Sequence, residues 1–341
     1  MAPQGVQNYN CLTKGVHNRF LTVPYLLWTK WLKNLRSRIV VLLFYYTIAE
    51  MILVEKSELV CYNGCIMITK AIIPVAGWGT RRLPITKIIE KSMLPVGNRP
   101  LVDYSVQDLI KAGVKDIYMV ISNVEPCQVQ EFYKDNLALN QYLIDRGKED
   151  RLKLAKTLPD DVTIHYTVQD PAAKYGTAVP IAMVVEEYNI DEPVLVFMGD
   201  DFIWNPGGEN AAEALIKAAG ENESAILGVE IPLEKVEKYG VLAEEDGKLT
   251  HVVEKPKPEE APSNLINVSK YIMTPDLLQR IVKYVNENDF GPLDQEYMVT
   301  DPIDAYIKDG GVMRVAPTTG EYLDGGSVEG WLHANNVVCG N

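Results

Sequence analysis

The chain has 341 residues, 47% hydrophobic and 23% charged, a composition that supports one large core or two modest domains. Its net charge of −13 excludes a nucleic-acid phosphate binder, and five cysteines, an odd number at scattered spacing, exclude a disulfide framework and fit a reducing compartment. The four histidines show no ligand spacing, which argues against a zinc site, and Cys127 and Cys339 read as small buried hydrophobes or free thiols.

Residues 1–66 differ from the rest. They carry seven Lys/Arg and three Asp/Glu, a net of +4 that leaves −17 for the other 275 residues, and they hold three of the five cysteines. The run "IVVLLFYYTIAEMILV" (39–54) is apolar apart from Glu50 and follows Lys30, Lys33, Arg36 and Arg38, as a signal anchor would. It is short for a span, and Glu50 is costly in lipid. The expectation is an N-terminal extension outside the functional protein, translated upstream sequence with Met67 as the true start, followed by a single domain over 67–341.

From Met67 on, apolar runs of strand length alternate with amphipathic stretches. "AIIPVA" (71–76) is the first strand. In "RPLVDYSVQDLIKAG" (99–113), Leu101, Val102, Val106, Leu109 and Ile110 fall at helical spacing, and Gly113 ends the helix. "DIYMVIS" (116–122) and "VTIHYTV" (162–168) are strands, and "TAVPIAMVVEEY" (177–188) is a helix with Pro180 in its first turn. "PVLVFMGDD" (193–201) is a buried strand ending in two aspartates, "ENAAEALIKAAG" (209–220) a helix and "SAILGVEI" (224–231) a strand. This alternation predicts a mainly parallel sheet with helices on both faces, which binds ligands at the carboxyl ends of its strands.

Four strand ends carry candidate chemistry. The loop after residue 76 lacks the Walker pattern, and Arg82 stands where a dinucleotide fingerprint needs its third glycine. Gly77 and Gly79 followed by Thr80, Arg81, Arg82, Lys87 and Lys91 suit a nucleoside triphosphate, since amides, a guanidinium fork and mobile ammonium groups all favour phosphate. The plainer alternative is a glycine turn among solvated charges. Asp200 and Asp201 follow an apolar strand and could hold Mg²⁺ or serve as turn and cap residues. "HVVEKPK" (251–257) delivers Glu254 and Lys255 side by side, either a solvated pair or, if the strand ends there, a grip on sugar hydroxyls and a phosphate. Asp324 in "EYLDGGSVEGW" (321–331) precedes glycines and a helix, as a metal ligand or as a turn residue.

Taken in order, these motifs resemble the bacterial UTP–glucose-1-phosphate uridylyltransferases within the sugar-phosphate nucleotidyltransferases. The family signature AGxGTRxLPxTKxxPKEMLP stands here as "AGWGTRRLPITKIIEKSMLP" (76–95). Gly199-Asp200-Asp201, Tyr239-Gly240-Val241, "VEKPK" (253–257) and "APSNL" (261–265) match further motifs, and residues 136–169 match a helical insertion typical of the uridylyltransferases. The resemblance spans nearly all of 67–341.

It implies a three-layer α/β/α Rossmann-like nucleotide-diphospho-sugar transferase fold with a mainly parallel mixed sheet. The implied reaction joins UTP and glucose-1-phosphate into UDP-glucose and pyrophosphate with Mg²⁺. Ala76 and Gly77 would meet the base through backbone, and Gly79, Thr80 and Arg81 would hold the triphosphate, with Lys91 neutralising its charge during transfer. Gln169 and Gly176 would read the uracil edge; Gly240 and Glu254 would bind glucose hydroxyls; Lys255 would take the sugar phosphate; Asp200 and Asp324 would hold the metal. The resemblance further implies a homo-oligomer without nucleic-acid or membrane partners, in the cytoplasm where its nucleotide is found.

The chain departs from the pattern in places. Glu90 replaces a proline, Ser92 a glutamate and Ser269 a glycine, "GLGHA" appears as "KYGTA" (174–178), and "LDGGSVEGW" is closer to thymidylyl- and adenylyltransferases. Glu90 beside Lys91 could weaken the local positive field. Two alternatives therefore stay open: a glucose-1-phosphate thymidylyltransferase, and a non-catalytic sugar-nucleotide-binding regulator.

Overall fold

The computed structural model describes residues 67–340 apart from 124, 171 and 291–294, so the expectation for residues 1–66 lies outside the described residues. Among the described residues, no helix is long and apolar enough to cross a membrane.

Four strands form one half of the main sheet: β1 (Lys70–Pro74), β4 (Asp116–Ser122), β5 (Thr163–Gln169) and β6 (Val194–Phe197), with the two-residue strands β2 (Pro95–Val96) and β3 (Arg99–Pro100) forming a ribbon between β1 and β4 in sequence. Next come β7 (Asp201–Trp204), β8 (Ser224–Glu230), β9 (Gly240–Glu245), β10 (Lys248–Glu254), β11 (Leu265–Met273), β12 (Met313–Pro317) and β13 (Glu321–Asp324). The main sheet runs β5-β4-β1-β6-β11-β8-β12-β10-β9, and β7 pairs with β13 in a separate ribbon. β5, β4, β1 and β6 are mutually parallel, as are β8 and β12, while β11 runs antiparallel between β6 and β8. The expected mainly parallel mixed sheet is therefore present.

Alternation along the strands creates the three layers. Ala71, Ile73, Leu195 and Phe197 face one core with the helices Leu101–Lys111, Gln128–Tyr133 and Ala211–Ala218. Ile72, Val194 and Val196 face the other with the helices Val179–Tyr188, Pro275–Glu287 and Thr300–Lys308. Strands covered on both faces need no polar alternation, which is why "VLVF" and "DIYMVIS" read as unbroken apolar runs.

The strand expected over 193–201 is two strands. β6 stops at Phe197, and Asp201 opens β7 in the other ribbon. Between them Gly199 bonds back to the Pro74 carbonyl at 3.3 Å, and a side chain there would meet Val75 Cγ1 at 2.4 Å. The chain turns at Gly199 because only a residue without Cβ fits against the end of β1.

Candidate active site

β1 ends at Pro74, and the loop beyond it wraps around one lysine. Gly79 adopts φ +64°, which starts a single 3₁₀ turn at Thr80–Arg82. A Cβ on Gly79 would lie 2.8 Å from Lys91 Cβ, and one on Gly77 would lie 3.0 Å from Lys91 Cε and Nζ. These two glycines thus make room for the stem of Lys91. Thr86 Oγ1 donates to the Gly79 carbonyl at 2.8 Å and fixes the turn. Thr80 and Arg81 are exposed, whereas Arg82 is only 2% exposed. Arg82 Nη1 donates to the Lys91 carbonyl at 3.0 Å, and its Nε and Nη2 have no partner among the described residues.

Lys91 reaches Asp200, with Nζ 2.8 Å from Oδ2. Burial pushes the Asp200 carboxyl up, but Lys91, Arg82 and Lys270 outweigh it, and the net shift is downward. Asp200 and Asp324 are brought together through the β7–β13 ribbon: Asp324 pairs with Asp201, and the Gly325 amide donates to the Asp200 carbonyl at 3.0 Å. Asp324 also has the turn role, since Oδ1 accepts from the Gly326 amide at 2.5 Å and Oδ2 from Ser327 Oγ at 3.3 Å. Among the described residues, no three acidic, His or Cys side chains cluster as a closed metal cage. Two carboxylates with oxygen donors alone fit a hard ion that completes its shell with phosphate oxygens and water.

Asp201 lines the same cavity, but both of its carboxylate oxygens are already bonded. Lys270, 1% exposed, bonds its Oδ1, and Tyr322 Oη donates to its Oδ2 at 3.0 Å. Burial pushes the Asp201 carboxyl up to about 6 even with Lys270 beside it. The neighbouring bulge of β11 places Ser269 at φ +52°, where its amide donates to Asn267 Oδ1 at 2.8 Å. A left-handed conformation is one that glycine adopts without cost, and the Asn267 side chain supports the serine found here.

Glu254 is the last residue of β10 and stands opposite Gly240 in register. A Cβ on Gly240 would lie 3.2 Å from Glu254 Oε1. Lys255 follows at φ +48°, outside the strand, with its amide bonded to the Tyr239 carbonyl at 3.0 Å. Its side chain lines a cavity of about 1080 Å³ together with Arg81, Asp200 and Asp324.

Gln169 and Gly176 are not in the lining of that cavity. Gln169 is the last residue of β5 and Gly176 lies in the turn beyond it; Gln169 Nε2 donates to the Lys174 carbonyl at 3.3 Å. Gly176 has φ +128°, and a Cβ there would meet the Tyr297 amide nitrogen at 2.4 Å. The Tyr297 amide donates to Tyr175 and the Tyr297 carbonyl accepts from Ala178, both at 2.9 Å, so the turn is stitched across this glycine. Ala76, half-buried, packs against the same core cluster as Tyr297.

The cavity also has walls that the motifs did not mark: Lys235, Lys238, Glu329 and His333. Nothing in their sequence context sets them apart from surface charges. Cys127 is buried and Cys339 exposed, and among the described residues neither forms a disulfide.

A nucleotidyl transferase family model matches residues 70–340. The UTP–glucose-1-phosphate uridylyltransferase of Pseudomonas aeruginosa is 33% identical over 281 residues, 81% of this chain and 97% of the relative. The Haemophilus ducreyi enzyme of the same name is 34% identical over 282 residues, covering 78% and 91%. Among solved structures, an apo UDP-glucose pyrophosphorylase matches with TM-score 0.71 at 28% identity, covering 80% of this chain and 99% of its own. A UTP-bound UGPase from Acinetobacter baumannii matches with TM-score 0.70 at 26% identity, covering 80% and 93%. The chain belongs to the nucleotidyl transferase family, among its UTP–glucose-1-phosphate uridylyltransferases.

Proposed function

We propose that the protein transfers the uridylyl group of UTP to glucose-1-phosphate. An oxygen of the sugar phosphate bonds to the α-phosphorus, the α–β bridging bond breaks, and pyrophosphate leaves with UDP-glucose as product. The observation that carries this reading is one cavity walled by Arg81, Asp200, Lys255 and Asp324, with Lys91 bonded to Asp200 at its edge.

Two anionic substrates repel each other, so the site must position them and offset their charge. Arg81 and Lys91 act on the triphosphate, and Lys255 acts on the sugar phosphate. The left-handed turn at Lys255 supports that division, because it releases this side chain from the strand alternation that governs Glu254. Glu254 and Gly240 then meet the sugar. Gln169 and Gly176 read the base from the end of β5. The sugar phosphate is already ionised at neutral pH, so its attack requires no general base. Asp200 and Asp324 would hold Mg²⁺, which when bound supplies charge neutralisation on the phosphates.

The test is pyrophosphate release by the purified chain with Mg²⁺ and glucose-1-phosphate, comparing UTP with dTTP. Preferred turnover of UTP is expected. Preference for dTTP would make the protein a thymidylyltransferase, and absence of release with either would favour the binding-only regulator.

A further inference from the structure

Lys91 sits in a short irregular segment, and this segment is tied to a distant helix by one side chain. Gln128 opens the helix Gln128–Tyr133, which follows β4. Its Nε2 donates to the Ile88 carbonyl at 2.9 Å, and its Oε1 accepts from the Glu90 amide at 2.9 Å. The Gln128 backbone amide in turn donates to Glu90 Oε1 at 2.5 Å. A primary amide that binds a carbonyl at one residue and an N–H two residues on acts as a neighbouring strand would. Here it holds the segment that ends at Lys91 as if that segment lay in a ladder.

The tie does two things. Glu90 keeps φ −55°, held by two hydrogen bonds of its own to Gln128 and a third at Ile88 rather than by a covalent ring. The Glu90 carboxylate is also engaged at the start of the helix, while the Lys91 ammonium bonds Asp200. Glu90 therefore follows the helix and not the lysine beside it in sequence. From the other side Arg82 holds the Lys91 carbonyl at 3.0 Å. The backbone of Lys91 is pinned at both ends while its side chain stays about a fifth exposed, at 21%.

We propose that Gln128 is a positioning residue of the transfer reaction, fixing through Glu90 and Ile88 the direction from which Lys91 meets the phosphates. This rests on the reading that Lys91 neutralises the triphosphate. Misplacing a charge-stabilising group by about 1 Å costs up to about 10²-fold in rate.

The test uses the full chain and compares Gln128→Ala, Glu90→Ala, Glu90→Gln, Lys91→Ala and the double variant Gln128→Ala/Lys91→Ala. Gln128→Ala is expected to lower kcat about tenfold or more while both KM values stay within about twofold. In the Lys91→Ala background the same substitution is expected to change kcat less than about twofold, because what it positions is gone. Glu90→Ala should repeat the Gln128→Ala loss, and Glu90→Gln, which keeps an acceptor for the Gln128 amide, should restore most of it. If Gln128→Ala does not fold, the two Glu90 variants carry the same comparison. Unchanged kcat in Gln128→Ala, or an undiminished loss on top of Lys91→Ala, overturns the proposal. Normal turnover in Lys91→Ala overturns the reading of Lys91 itself, a result separate from either of these.

Discussion

Lys91 Nζ lies 2.8 Å from Asp200 Oδ2, so the cation assigned to the triphosphate and a carboxylate assigned to the metal are each other's partner. The two side chains are 21% and 28% exposed, within reach of ligand but partly withdrawn from water. Neither anchors the hydrophobic core, so removing one should affect chemistry more than folding. Lys91→Ala and Asp200→Asn are each expected to lose about 10²-fold or more in kcat, the scale of deleting one preorganised charge-stabilising group. Circular dichroism should show an unchanged fold. Near-normal turnover in a folded variant would remove that residue from the mechanism.

The two substrates can be separated by their contacts. Lys255 lines the cavity with Asp200 and Asp324, while Gln169 ends β5 with its amide against the Lys174 carbonyl. Lys255→Ala is expected to raise KM for glucose-1-phosphate far more than KM for UTP. Gln169→Ala should instead narrow the preference for UTP over other triphosphates, because hydrogen-bonded base readout rejects mismatches by leaving polar groups unpaired. Unchanged nucleotide selectivity in Gln169→Ala would place base recognition elsewhere.

How far the sequence reached follows from which forces are local. The strand over 116–122 is legible to the residue, since a strand buried on both faces leaves an apolar run that stops where burial stops. Lys255 was legible as a strand-end residue, although its left-handed turn was not. The division of 193–204 into β6 and β7 was hidden, because it depends on Gly199 meeting Val75, a contact between distant segments. The tie from Gln128 to Glu90 joins residues 38 apart with no motif between them. Arg82 misled for another reason. An arginine among Thr80, Arg81 and Lys87 reads as part of an exposed cationic loop, and only the fold turns that one side chain inward.

A half-buried acid outside these motifs links stability to pH. Burial raises the Asp108 carboxyl to about 6, against the pull of Lys270 and a hydrogen bond from the Ala211 amide. The unfolded chain releases this proton near 3.8, so between 3.8 and about 6 the folded state binds more protons. Its contribution to stability therefore falls as pH rises through that window and stays unfavourable above it. Asp108→Asn keeps a neutral acceptor there. It is expected to stabilise the fold by about 1–3 kcal/mol at pH 7.5 and by almost nothing at pH 3.5. Denaturant midpoints at the two pH values measure this, and an equal shift at both would rule out the titration of Asp108 as its cause.

Arg82 sets stability against function. It is 2% exposed, and among the described residues its side chain makes one hydrogen bond, to the Lys91 carbonyl, while Nε and Nη2 have no partner. Burial draws its pKa down, while Asp200 and Asp324 act in the opposite direction without bonding it. A buried charge lacking a hydrogen-bonded counter-ion costs several kcal/mol, and an apolar side chain of similar volume often recovers part of that. Arg82→Met should therefore raise the unfolding free energy by about 1–3 kcal/mol, seen as a higher denaturant midpoint at unchanged slope. Its activity should move the other way. The Lys91 carbonyl loses its anchor, and the two aspartates lose a fixed cation behind them, so kcat/KM for UTP should fall about tenfold or more. A variant that is less stable than the parent would show that Asp200 and Asp324 fully compensate the guanidinium, making it part of the scaffold. A variant that is more stable and equally active would show that its charge serves neither purpose. Gain in stability together with loss of activity is the outcome expected of a charge held at a functional site.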